Sequence, residues 1–148
     1  MATGDVVVFN EALEYMLDGG WEPADAIWCA IIDDTVDPTQ ADTTPALGDY
    51  TEVGTGGSYS AGGELLDTWG NMCTQSGAVM TFDDTGANVS WTQDGGNDAD
   101  AWWGIVYNYT EAADPCIAYV ELGGPVDMGA GALQITWHGS GIFTITNS

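Results

Sequence analysis

The sequence predicts a mainly β domain, an antiparallel β-sandwich or jelly-roll-like arrangement with one helix near its N-terminal end. Three observations predict it. Only one stretch has helical periodicity; about eight short runs rich in Val, Ile, Trp, Tyr and Thr follow it; and clusters of Gly, Asp, Asn and Pro separate those runs. With 148 residues and 45% hydrophobic content, the chain suits a single domain over 1–148 with a sizeable core.

Phe9, Leu13, Met16 and Leu17 recur at i, i+4, i+7 and i+8, which places a helix over about 6–18 with its stop at Gly19-Gly20. Asp5 or Asn10 would cap it, and Glu11 and Glu14 suit the positive end of the helix dipole. Strands are expected from about residue 26 onward. The first is AIWCAII, 26–32, followed by 57–66 around Tyr59, 78–82, 88–92, 101–109, 116–122, 132–138 and 142–146. DDTG, QDGGND, EAADP and GGPVDMGAG supply turns between them. The segment 33–57, with Pro38 and Pro45, is too long for a hairpin turn and reads either as a functional or interface loop or as a surface excursion. No internal repeat or linker is visible.

Charge sets the strongest limit on partners. The chain has no Lys or Arg and 23 Asp plus Glu, a formal net charge of -23, so none of its carboxylates can pair with a basic side chain other than His138. They repel one another, an effect that salt screens within about 10 Å at 0.1 M, so stability should rise with ionic strength. Nucleic acid and anionic membrane surfaces are excluded as direct partners, because binding either depends on Lys and Arg. A basic protein surface or a cation-rich medium suits the charge, and Asp far exceeding Glu fits a halophilic or marine source. No basic leader segment precedes an apolar run, and no run approaches a membrane span.

Cys29, Cys73 and Cys116 are odd in number and sit far apart in apolar surroundings; they read as buried thiols, with a disulfide between two of them as the alternative. No C-x-x-C or Cys/His pairing points to zinc.

Catalysis is not expected. His138 is the single histidine and ends a strand beside a Gly turn, and the Ser140 near it lies in HGSG, not in a nucleophile elbow. Acidic pairs such as Asp33-Asp34 and Asp83-Asp84 are too frequent for any one to stand out as an acid and base. The run GTGGSYSAGG has the composition of a phosphate loop but lacks its lysine and its following helix. No cofactor is expected. Asp94, Asn97, Asp98 and Asp100 place oxygen ligands close together, as Ca²⁺ requires, but depart from EF-hand spacing, which makes them weak candidates beside general counterion condensation. Trp102 and Trp103, adjacent on one strand, point to opposite faces; with Tyr59 they are candidate interface residues, or else both rings are covered internally. Asn88-Val-Ser90 and Asn108-Tyr-Thr110 match the glycosylation sequon.

The order of these elements resembles a family of small structural proteins, head-decoration or tail-associated, of tailed viruses of bacteria and archaea. The motifs that carry it are FNEALEYML, AIWCAII, the Pro/Thr/Asp loop, TEVGTGGSYSAGG, AVMTFDD, VSWT, WWGIVYNY, CIAYVEL and the closing GPVDMGAGALQIT. The resemblance covers nearly the whole chain through short motifs. It departs at Tyr59, where relatives often continue with Arg or Gln and this chain has Ser60-Ala61-Gly62. It implies a non-enzymatic virion component, most simply a capsid decoration or cement protein that contacts the major capsid protein as a homo-oligomer. The alternatives are a tail, neck or fibre-base component, and a carbohydrate- or cell-surface-binding module.

Overall fold

In the computed structural model, which describes residues 3–18, 20–85 and 88–147, the first element is a strand, Val6–Val8 (β1). Three β-branched residues in a row lose side-chain freedom in a helix and pack well on a pleated sheet. The helix expected over about 6–18 is therefore shorter, and α1 spans Asn10–Asp18. Asp5 lies ahead of β1 and caps no helix, while Asn10 is the first helical residue. At the other end the Gly20 amide donates to the Tyr15 carbonyl (3.3 Å) and to Asp18 Oδ1 (3.1 Å). Gly19 and Gly86, read as part of the helix stop and of a turn, lie outside the described residues.

The remaining elements are β2 (Ala26–Ile32), a 3-10 turn (Leu47–Asp49), β3 (Glu64–Thr68), the single-turn α2 (Trp69–Met72), β4 (Cys73–Ser76), β5 (Val79–Phe82), β6 (Val89–Trp91), β7 (Ala101–Asn108), β8 (Cys116–Val126), β9 (Leu133–Ile135) and β10 (Phe143–Thr146). All pairings are antiparallel. A five-stranded sheet in the order β1-β8-β7-β2-β3 is accompanied by a three-stranded sheet, β10-β5-β4, and by the pair β6-β9. The fold is mainly β and β-sandwich-like.

Four strand expectations differ. The strand expected over 116–122 runs on to Val126, so β8 takes in Gly123-Gly124-Pro125-Val126 of the expected turn GGPVDMGAG, and the one expected over 132–138 ends at Ile135, which leaves His138 beyond the strand and not at its end. Within 57–66, pairing begins only at Glu64, because Gly62 and Gly63 adopt φ of +87° and +79° and break the extended run before it. Residues 73–76, absent from the expected strands because Cys-Thr-Gln-Ser shows little apolar alternation, form β4; a tight turn at Gly77 (φ +60°) folds them against β5.

The core follows from β2 and β7, whose residues are mostly buried on both faces. On one face Gly104 of β7 lies against Cys29, Val120 and Ile135; a Cβ there would stand 2.7 Å from Ile135 Cδ1, so glycine lets β9 close onto the sheet. On the other face Phe9 packs against Tyr119 (centroids 5.0 Å apart) and Tyr50 (6.4 Å). Tyr50, Leu47 and Val53 belong to the long segment 33–57, and all three are buried. That segment is stitched down by Cys116 N–H to the Pro45 carbonyl (2.8 Å) and Val53 N–H to the Ile31 carbonyl (3.1 Å). Its buried residues form a wall of the core, while most of the segment's other positions are exposed. The three cysteines are free thiols, Cys29 and Cys116 buried and Cys73 partly so.

Candidate functional site

Each candidate side chain of the acidic loop between β6 and β7 takes its own hydrogen-bond partner. Asp94 Oδ1 accepts from Gly96 N–H (2.9 Å), Asp98 Oδ2 from Gly54 N–H (3.0 Å), and Asp100 Oδ1 from the Trp102 indole N–H (3.0 Å). Asn97 is buried; its Oδ1 accepts from Tyr59 N–H (3.0 Å) and its Nδ2 donates to Ser58 Oγ (3.1 Å) and the Thr92 carbonyl (3.2 Å). Among the described residues, no group of three or more His, Cys, Asp or Glu is arranged to hold a metal ion.

This loop instead clamps the glycine-rich run. Cβ atoms on Gly56 and Gly57 would lie 2.8 Å from the Gly96 carbonyl oxygen and 2.5 Å from the Asn97 amide nitrogen, so the two loops touch backbone to backbone. The glycines of GTGGSYSAGG serve close approach, a use that composition alone does not distinguish from a phosphate loop.

Of the three candidate interface aromatics, Tyr59 is internal, 2% exposed, and cannot present its ring to a partner while the fold is intact. Burial pushes its hydroxyl pKa well above the ordinary tyrosine value. Trp103 is partly buried, packs on the core and meets Tyr119 edge to face (6.0 Å). Trp102 is also partly buried but lies outside the core cluster, with its indole held by Asp100. It is the more outward of the pair.

His138 is exposed, and its Nδ1 accepts from Ser140 N–H at 3.1 Å, so the two are joined through the serine amide. It stands at a half-open cavity of about 440 Å³ whose walls include Trp137, Gln134, Glu121 and Val6. Asn108, within the second sequon, is fully buried and donates to Asp25 Oδ2 (2.8 Å), which makes it inaccessible in the folded chain; Asn88 is exposed.

An open apolar surface lies on the helix face that the periodicity picks out. Of the four residues on the expected helix face, Phe9 is buried, Met16 is partly buried, and Leu13 and Leu17 are 43% and 89% exposed. Ala12 is the buried helix residue, and Tyr15 and Met16 pack against the core partly buried. Leu13, Met16 and Leu17, together with Val8, face Phe143 and Ile145 of β10 across a groove of about 420 Å³. Ile145 stands opposite Met80 in the ladder, and both are exposed, so the apolar face runs from the stacked Phe82–Phe143 pair (4.7 Å) out to the surface. On the adjoining side of α1, Glu11, Glu14 and Asp18 line a separate acidic hollow. An apolar groove beside an acidic strip can hold a complementary protein segment.

Comparison with family models, curated proteins and solved structures returns no match for this chain. No helix among the described residues is long and apolar enough to cross a membrane.

Proposed function

We propose that this chain is a non-enzymatic virion structural protein, a decoration or cement protein seated on a capsid shell as a homo-oligomer. The observation that carries the assembly reading is the pairing of one exposed apolar groove, between α1 and β10, with a chain that holds 23 acidic residues and no Lys or Arg. Burying that groove against another protein removes apolar area from water, while the remaining anionic surface keeps particles soluble and mutually repelling. Trp102, outside the core cluster, adds an aromatic contact of the kind that dominates interface energetics. The virion setting follows from the resemblance in the order of elements.

Electron cryomicroscopy of particles from the source organism tests it. Density of this size repeated over an icosahedral shell is the expected result. A ring on the tail axis would select the tail, neck or fibre-base alternative, and absence from any particle would overturn the reading.

A second reading has one observation in its favour. The cavity beside His138 combines the Trp137 ring with Gln134, Thr136 and Glu121, a mix of aromatic and hydrogen-bonding groups suited to a neutral sugar. Binding of the isolated protein to a glycan array, lost on Trp137→Ala, would favour a carbohydrate-binding module.

A further inference from the structure

One wall of the groove between α1 and β10 is a free backbone edge. β10 is the outermost strand of its sheet. The Asn147 amide donates to the Ala78 carbonyl (2.8 Å), which makes Thr146 and Val79 a non-hydrogen-bonded pair. By the alternation of an antiparallel ladder, the N–H and C=O groups of Thr144 and Thr146 then point away from β5. The strand Phe-Thr-Ile-Thr carries neither charge nor proline, the devices that ordinarily blunt an open edge. The facing wall, Val8, Leu13, Met16 and Leu17, is apolar, and Glu14 and Asp18, the sequence neighbours of Leu13 and Leu17 on α1, line the separate acidic hollow.

Charge decides what can fill this slot. A second copy would bring another 23 acidic residues with no Lys or Arg, setting like charges against each other at the rim. We infer that the slot accepts an extended strand of a different protein, one that alternates apolar residues and carries Lys or Arg at its flanks. Its backbone pairs with the outward groups of Thr144 and Thr146, its apolar side chains lie on Leu13 and Leu17, and its bases meet Glu14 and Asp18. The inference rests on the assembly reading in taking the occupant to be a protein, whereas the slot geometry is independent of any particle.

The test is a selection of random displayed peptides on the full chain, counter-selected on Leu17→Gln, at the lowest salt that preserves the native circular dichroism. Leu17 is 89% exposed, so this neutral substitution removes no buried contact and adds no charge, and the melting temperature should stay as it is. Thr144→Pro is the second variant, because its lost N–H faces away from β5. The expected winners are apolar-alternating peptides with Lys or Arg at their ends. Synthesised, they bind at least about tenfold more weakly to either variant and slow amide exchange at Thr144 and Thr146. Winners that bind as helices, winners lacking bases, or no Leu17-dependent winners would each overturn the inference. So would a concentration-dependent dimer that Leu17→Gln abolishes, which would make a second copy the occupant. Peptide binding at the slot without the protein on any particle would leave the slot standing and remove the virion reading.

Discussion

The Tyr59 hydroxyl sits between Glu52 and the β2 backbone, donating to Glu52 Oε2 at 2.7 Å and accepting from Ile31 N–H at 3.0 Å. Gly62 N–H reaches the same carboxylate oxygen at 2.6 Å. In a chain without Lys or Arg, a half-buried carboxylate is satisfied by N–H and O–H donors, and here one glutamate ties the edge of β2 to the glycine-rich turn.

Tyr59→Phe removes one donor and one acceptor at once and leaves both the Glu52 carboxylate and the Ile31 amide short of a partner. Denaturant unfolding should show a loss of about 1–3 kcal/mol, with the secondary structure of the folded state retained.

Gly63→Ala should be far more damaging than Gly77→Ala. Both have positive φ, but a Cβ on Gly63 would lie 1.9 Å from the Cys29 carbonyl oxygen, whereas one on Gly77 meets nothing within 4 Å. Gly77→Ala isolates the backbone term, roughly 1–2 kcal/mol. Gly63→Ala adds a clash with a central strand and should leave little folded protein in thermal melts.

Stability should fall in alkali. Burial pushes the hydroxyls of Tyr50, Tyr59 and Tyr107 above the ordinary 10.0, and the thiols of Cys29 and Cys116 above the ordinary 9.0. The folded state therefore keeps these protons at pH values where the unfolded chain has lost them. The contribution is whole below about pH 9 and declines as pH rises through 9 and 10 and beyond. Melting temperature against pH checks this, and Tyr59→Phe should flatten the decline.

Melting temperature should climb from dilute buffer to molar salt, since screening relieves repulsion among 23 acidic residues. A flat profile would sink the electrostatic account. Ca²⁺ and Mg²⁺ should act alike at equal concentration, and Asp94→Asn should not separate them, because Asp94, Asn97, Asp98 and Asp100 each serve a different hydrogen bond.

The strands that were legible are those whose character is local. AIWCAII is apolar at every position, which suits a strand covered on both faces, and β2 has the expected limits of 26–32. β4 was not legible, since Cys-Thr-Gln-Ser becomes a strand only by pairing with Val79–Phe82. The candidate metal loop was legible as a cluster of oxygens but not as a clamp, because Asn97 finds Tyr59 across 38 positions of sequence. The groove was half legible: periodicity located the apolar residues of α1 and could not say that Leu13 and Leu17 would lack a cover.

By itself the sequence determined the mainly β character and the anionic surface, because each depends on residue type within a few neighbours or on a simple sum of charges. Only the tertiary structure decided that 33–57 forms a wall of the core, that two glycine-rich loops meet backbone to backbone, that Tyr59 is internal and that one apolar face stays open. Those outcomes depend on which distant segments come into contact. An amphipathic pattern states that a face is apolar; what covers that face is settled by the sheets and loops packed around it, and here they leave Leu17 89% exposed.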